Sequence, residues 1–493
     1  MTPLPIAPPS PPTTIAALLR AARDRFHALE RWLFSQPVLA LALHQIEQPQ
    51  EIQGRNVQQA LLQAHIQQRG TGDVGPALHV FQACAVFTHR RLQRRTLKTI
   101  FGPIDIDRMG YCHPHHASIH PLDEALQLPK RSFSYELQKR LVIASVQGPL
   151  RESIQRLLDS CGLTVPMRSI EHILQDAAQD FDAFYDQRPV AASSPTASIL
   201  VVAVDCKGIP MVKPAPSHRR ARRTKGQKAN KKKMATVATV FTRPPWVRTP
   251  QQVVESLFRV SAHTSKDQLP PPKPENKRVW ASLIKGKATV IDEVAAEVRR
   301  RDPDARLTLV ALTDGERALQ ILVSKKLAVI LILDLLHVLE KVWKAAHVFH
   351  QEGTPEAEVY ARRMTHRILE GDVDQVVKGL RQTVTKRKLS GPKAKILLAV
   401  AGYFHRNRDR MRYHDYLARG LPIASGPVEG ACKNLIKDRM ERSGMRWTPS
   451  MAEALLKLRA LYLSADFDAY WDFHISEDPK RLYPPGRWAV VAK

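Results

Sequence analysis

Three apolar runs, each the length of a β-strand and each closed by an aspartate, constrain this chain more than anything else in it. Ser198-Ile-Leu-Val-Val-Ala-Val204 stops at Asp205, Arg306-Leu-Thr-Leu-Val-Ala-Leu-Thr313 at Asp314, and Leu327-Ala-Val-Ile-Leu-Ile-Leu333 at Asp334. Strands this apolar are buried on both faces, and Trp280 to Arg300 and Glu316 to Lys326 carry helical spacing. The pattern predicts an α/β core, a mixed sheet flanked by helices. Gly208-Ile-Pro-Met-Val212 is expected to form a turn and a second strand, and Met234 to Thr242 a third; Thr264 to Pro274 reads as a loop. Acids at the ends of such strands sit where open sheets bind ligands.

With 493 residues there is room for two to four domains. Residues 1–13 are Pro-rich and read as a disordered leader, and 14–95 as a helical N-terminal region. Residues 96–130 form a small β region, with a hairpin around Gly102-Pro103. In 131–190, an amphipathic helix from Arg151 ends at Gly162, and a second helix starts at Ser169 after a turn. This is a helix-turn-helix layout, in which Arg168, Ser169 and His172 stand where base-edge contacts are made. An ordinary helical hairpin has the same pattern. The core is expected in two parts, 197–345 and 424–465, separated by an all-helical insertion at 346–423. Residues 466–493 read as a C-terminal tail, whose aromatics (Phe467, Tyr470, Trp471, Phe473) pack rather than stack on bases.

Basic residues outnumber acidic ones by 75 to 47, a net charge of +28, which favours a polyanionic partner, nucleic acid above all. The densest cluster includes Arg222, Arg223, Lys225, Lys228, Lys231, Lys232 and Lys233, between two expected strands, and reads as a phosphate-gripping loop. Five scattered cysteines argue against a disulfide framework and suit a reducing cytoplasm. The N-terminus has no signal-peptide pattern, and the longest apolar run is too short to span a bilayer, so the expectation is a cytoplasmic protein without a membrane partner. Cys112 and His115 have C-x-x-H spacing, but zinc needs four ligands and no C-x-x-C exists. The choice there is between a zinc knuckle and ordinary loop histidines.

Ser425 to Trp447 opens with a Ser-Gly-Pro loop and continues as a helix carrying Glu429 and four expected DNA contacts, Lys433, Lys437, Arg439 and Arg442. An acid beside a basic surface repels phosphate unless it holds a metal ion that the phosphate also touches. Asp205, Asp314 and Glu429 are hard oxygen donors suited to Mg²⁺ or Mn²⁺. Two such ions about 4 Å apart can activate the attacking oxygen and stabilise the leaving one in phosphoryl transfer. Any one of these acids taken alone reads more readily as a helix cap, as Asp314 before Glu316 would; the catalytic reading rests on all three together with the long final motif.

Val204-Asp-Cys-Lys-Gly208, Thr313-Asp-Gly-Glu-Arg-Ala-Leu319, Leu333-Asp-Leu-Leu-His-Val-Leu-Glu-Lys-Val-Trp343 and Ser425-Gly-Pro-Val-Glu-Gly430 through Arg442-Ser-Gly-Met-Arg-Trp447 resemble bacterial insertion-sequence transposases of the DDE class, in the ISKra group. The resemblance runs from about Thr96 to about His474. It implies an RNase H-like catalytic core in which Asp205, Asp314 and Glu429 hold two divalent ions, and a helical region that recognises terminal repeats. In such a sheet the Asp314 strand lies beside the Asp205 strand. Asp314 is therefore the expected second acid, with Asp334 as the alternative and His337 as its companion. Relatives often carry paired cysteines where this chain has Tyr111-Cys-His-Pro-His115. The implied activity is cutting an element's ends and joining the 3′-hydroxyls to target DNA, by at least a dimer. Two other readings use the same sequence: a transposase-derived DNA-binding protein that has lost catalysis, and a nuclease that cuts without joining.

Overall fold

The apolar runs become neighbouring strands of one sheet, but the strand bearing Asp205 does not stop there. The computed structural model describes residues 15–190, 194–212, 232–258, 270–424 and 426–491, with backbone alone at 427–429 and 443. Two compact units result: Met1–Asp180 with Asp468–Lys493, and Phe181–Phe467.

In the second unit β1 (Ile199–Pro210), β2 (Lys232–Arg243), β3 (Glu275–Ser282), β4 (Thr308–Thr313) and β5 (Ile330–Leu333) form a sheet in the order β5-β4-β1-β2-β3. The first three are antiparallel neighbours; β4 and β5 run parallel to β1. The sheet is therefore mixed, as expected. Two expectations need correction. Gly208 to Val212 is no separate strand: β1 continues to Pro210 because β2 pairs with it that far, whereas β4 ends opposite Val204. Residues 275–282 form β3, so the helix expected from Trp280 starts later, at Lys287, and the residues after the expected loop at Thr264 to Pro274 are a strand. Lys277 and Arg278 mask the alternation, while Val279, Trp280, Ala281 and Ser282 are buried against the sheet.

Helices α1 (Pro250–Phe258), α2 (Lys287–Arg301), α3 (Arg317–Lys326) and α4 (Leu335–Ala346) are interleaved with or follow these strands. The insertion is helical throughout: α5 (Pro355–Leu369), α6 (Val373–Lys386), α7 (Gly391–Asn407) and α8 (Tyr413–Ala418). It is tied to the sheet by the Tyr413 hydroxyl, which donates to the Leu333 carbonyl at 2.8 Å, and by the Leu335 amide, which donates to the Ile423 carbonyl at 2.9 Å. The chain then enters α9 (Gly426–Ala431), passes through a π-helical stretch (Cys432–Lys437) and ends that helix at Asp438–Met440. Trp447 joins the free end of β1: its amide donates to Pro210 O at 3.1 Å and its carbonyl accepts from the Val212 amide at 2.9 Å. Helix α10 (Pro449–Leu463), capped by Thr448, packs on β3. There Glu453 accepts from the Ser282 hydroxyl and the Leu283 amide, both at 2.7 Å.

In the first unit, helix Ile15–Leu33 packs along helix Leu43–Gln68. Gln63 of the longer helix uses both ends of its amide on the backbone of Asp105, at 2.7 and 2.8 Å. That docks the helix on the hairpin of His89–Thr99 and Gly102–His113. Strands begin earlier than the β region expected from residue 96, since Leu78–Val80 pairs with Ala85–Phe87. Helices Tyr135–Gln147, Leu150–Cys161 and Met167–Ala177 pack together, with Gly162 in the left-handed cap conformation that ends the second. Residues 466–493 are not a loose tail. They form helix Phe467–Leu482 and strand Trp488–Val490, which pairs with Leu78–Val80. The driving force is visible in its side chains: Tyr470 and Trp471 are buried, and His474 and Arg481 both bind Asp180.

Glu453→Ala leaves the Ser282 hydroxyl and the Leu283 amide without their carboxylate, and should destabilise the second unit by about 2–4 kcal/mol in urea unfolding. Glu453→Gln, which keeps an acceptor, should lose less. A loss of under about 0.5 kcal/mol for the alanine variant, the level of a surface change, would mean that this carboxylate does not anchor the helix.

Candidate active site

Where β4 ends and β1 continues, the sheet has a notch, and the notch is the floor of a cavity of about 480 Å³. Asp205, Asp314 and Asp334 all line it, as do His337 and Glu340 from α4. Gly430, Cys432, Lys433 and Lys437 line it from the α9 helix and its π-helical continuation. Lys207, two residues past Asp205 on the same strand and so on the same face, also lines it.

Local backbone geometry fixes each aspartate. Asp205 lies within β1, opposite Val237 of β2, one residue beyond the last position paired with β4. Its Oδ1 accepts from the Cys206 amide at 2.6 Å, and its Oδ2 accepts from the buried Cys432 thiol at 3.2 Å. Asp314 follows β4 directly and accepts from the Glu316 amide at 2.9 Å. The cap reading of Asp314 needs correction: the N-cap of α3 is Glu316, and the Asp314 bond closes a turn just before the helix, leaving the residue in the cavity. Asp334 caps α4 through the Leu336 amide at 2.9 Å and is only 2% exposed. Of the two aspartates proposed as second acid, Asp314 is the more open.

Electrostatics distinguishes the site from a set of ordinary caps. Burial pushes the Asp314 carboxyl above its usual range; the Glu316 amide opposes this, and the neighbouring Asp205 charge adds to it. Burial likewise raises the Cys432 thiol, with the Asp205 charge contributing. Tyr403, from α7 of the insertion, is also drawn in. Burial raises its phenol, and the charges of Asp314, Glu340 and Asp334 add to that. Its ring carries Lys341 Nζ at 5.1 Å from the centroid.

Glu429 lies in α9, which packs on β1 and β2 beside this cavity, but its side chain is outside the described residues. Lys433 and Lys437 are exposed. Arg442 is exposed too, but Arg439 is corrected: it is 1% exposed, with its guanidinium 5.1 Å from the Trp447 ring centroid, and cannot face a polyanion. Of the basic cluster, Arg222, Arg223, Lys225, Lys228 and Lys231 lie outside the described residues. Lys232 and Lys233 are exposed, and Lys232 pairs with Glu441 at 2.7 Å. In the other unit Arg168 is exposed at the start of its helix, with Ser169 and His172 half-buried. Cys112 is contacted by Ser118 at 3.2 Å, and the His115 amide by His113 at 3.4 Å. Among the described residues no three His, Cys, Asp or Glu side chains are grouped to hold a metal ion. None of the described helices is long and apolar enough to cross a membrane.

Sequence reasoning missed Lys207, Glu340, Cys432 and Tyr403. The first three had a signal, since each lies two or three residues from a candidate on the same element. Tyr403 had none, because the insertion's contacts depend on tertiary packing.

No family model matches the chain, and no characterised protein matches it in sequence. Among solved structures, the Drosophila P element transposase strand transfer complex aligns over 69% of this chain and 79% of that one, at 9% identity and a TM-score of 0.24. So slight a likeness carries no argument; strand order and side-chain placement do.

Folding raises the Asp314 pKa, so the protonated carboxyl favours the native state. That contribution is present below the unfolded value of 3.8 and is lost as pH rises through the higher native value. At neutral pH the ionised carboxylate therefore costs stability. Asp314→Asn should melt higher than the parent at pH 7 in calorimetry, with the gap closing toward pH 3. A lower melting temperature at pH 7 would show that burial and repulsion of this charge do not decide its effect on stability.

Proposed function

We propose that this chain is a DNA transposase of the DDE class, in the ISKra insertion-sequence group, with an RNase H-like core. It cuts the ends of its element and joins the 3′-hydroxyls to target DNA. The observation that carries the reading is the parallel pairing of β1 with β4. It brings Asp205 of β1 and Asp314, directly after β4, into one cavity, which supports the RNase H-like reading.

The donor set fits divalent ions. Two carboxylates face one cavity and repel one another, and a cation between hard oxygen donors relieves that repulsion. Asp205 and Asp314 are the residues that would hold Mg²⁺ or Mn²⁺, with Glu429 as third ligand. Bound there, the ions supply a more acidic attacking oxygen and charge neutralisation at the leaving one. The protein's own contribution is positional. Lys207, Lys433 and Lys437 bring positive charge to the same cavity and can hold the scissile strand's phosphates in spite of the acids. Cys206 and Glu316 fix the carboxylates through their backbone amides.

The three packed helices of the first unit support a helix-turn-helix role, with Arg168, Ser169 and His172 toward terminal-repeat DNA. The working form is at least a dimer, so that two ends are joined together, and it acts in the cytoplasm.

Glu429→Gln and Asp205→Asn should each lower Mg²⁺-dependent nicking and joining of end DNA by at least about 10²-fold while leaving DNA binding intact. Parental activity in either variant would sink the assignment. Binding by the parent without any metal-dependent product would instead favour the non-catalytic reading. Lys433→Ala and Lys437→Ala should each flatten the salt dependence of DNA affinity, by a log–log slope of about 0.9 per lost phosphate contact. An unchanged slope would mean that these lysines are merely solvated.

A further inference from the structure

A second cavity, of about 450 Å³, lies in the same unit and shares no lining residue with the first. It sits where β3 begins, beside the C-terminal ends of α2 and α10. Its volume falls in the ~300–1,000 Å³ range of ligand pockets. Five cationic side chains line it (Arg188, Lys277, Arg278, Arg300 and Arg301) against two carboxylates, Glu297 and Asp466.

One of those carboxylates is heavily committed. Glu297 accepts from Arg278 and Arg300 at 2.6 Å and from Arg301 at 2.7 Å. Burial alone would raise its pKa, yet the Arg278 and Arg301 charges hold it down to about 2. One negative charge cannot neutralise three positive ones. Asp466 is paired with Arg188, and Lys277 is exposed with no acid of its own on the cavity wall. The site therefore carries an excess of three positive charges over its acids.

Structural need explains only part of this. The Glu297 cluster clasps β3 to α2, and Arg278 is packed with its guanidinium 3.6 Å from the Tyr185 ring centroid and 4.6 Å from that of Trp280. Neither Arg188 nor Lys277 takes part in the clasp. Among the described residues the Arg278 Nε has no hydrogen-bond partner although it is buried. Two non-glycine residues of the wall, Asn276 and Ala465, hold left-handed backbone with φ of 49° and 58°. Such strain is retained where surrounding structure imposes it.

We propose that this cavity is a phosphate-binding site, in which the Arg188, Lys277 and Arg278 side chains receive a tetrahedral phosphate oxyanion. Guanidinium groups present paired N–H donors matched to phosphate oxygens, and the ammonium adds a compact charge at the mouth. The phosphate is either free in solution or a phosphodiester of bound DNA. The site does not depend on the strand-cleavage reading, and cleavage assays do not bear on it.

The test uses the full chain and inorganic phosphate, titrated at constant ionic strength against sodium chloride, with calorimetric affinity and melting temperature as readouts. The parent should bind phosphate and melt higher in it. Lys277→Glu combined with Arg188→Gln should bind about tenfold or more weakly with unchanged circular dichroism. Lys277→Ala, at an exposed position, is the milder variant should the double change disturb folding, and should also weaken binding. Duplex DNA separates the two sources. A phosphodiester occupant predicts that DNA displaces phosphate and that the double variant binds DNA more weakly. A free-phosphate occupant predicts that DNA affinity is unchanged by the substitutions, and either pattern upholds the site. Phosphate that stabilises no more than chloride, or variants that bind it as the parent does, would overturn the proposal.

Discussion

Beyond Val204, β1 keeps its antiparallel partner and loses its parallel one. That asymmetry creates the notch on which the candidate site depends. A sheet whose strands all ended together would present a flush edge there. Here the backbone on one side of Asp205 has no strand beside it, and the residues that follow β4 and β5 occupy that side. Asp314 and Asp334 enter together because the Asp334 amide donates to the Thr313 carbonyl at 3.0 Å. The free end of β1 then finds a substitute partner in Trp447. The stretch that carries Glu429 is therefore tied to the same strand as Asp205, far from it in sequence.

The cavity combines a floor of like charges with a rim of opposite ones. The Asp205 charge raises the proton affinity of Asp314, and lysines from β1 and the α9 helix stand beside both. In a cavity of low dielectric neither set is neutralised at long range, so local counter-charge decides which ligand is held. The insertion participates as well. Tyr403 lies so close to Gly315 that a Cβ there would fall 2.3 Å from its ring. The glycine after Asp314 is what allows an aromatic ring to seal the acid from one side.

Much of this was legible in the sequence. Unbroken apolar runs marked the central strands, and the acid closing each run marked the floor of the cavity. Gly353-Thr-Pro355 and Gly391-Pro392 marked where insertion helices begin, because each pairs a breaker with a residue suited to a first turn. What failed did so for physical reasons. β3 was masked by two consecutive cations, one of them packed on aromatic rings. Arg439 looked like a DNA contact because burial of an arginine under tryptophan leaves no periodic trace. The end of β1 was misplaced because strand length is set by the partner, and β2 pairs with it past the Gly208 turn signal as far as Pro210.

Strand Trp488–Val490 completes a sheet begun at Leu78–Val80, and the whole of the second unit lies between them in the chain. The first unit is therefore written in two pieces, and the unit with the acid cavity is nested inside it. During synthesis the nested unit can fold as soon as it emerges, while the outer one keeps the Leu78–Val80 edge unpaired until Trp488–Val490 is made. A premature stop after residue 467 would not simply trim the protein. It would leave the acid cavity's unit intact and deprive the other of its closing strand and of the His474 and Arg481 contacts with Asp180. Closure of the outer unit is in this sense deferred until the strand Trp488–Val490 is made, after every residue of the nested unit.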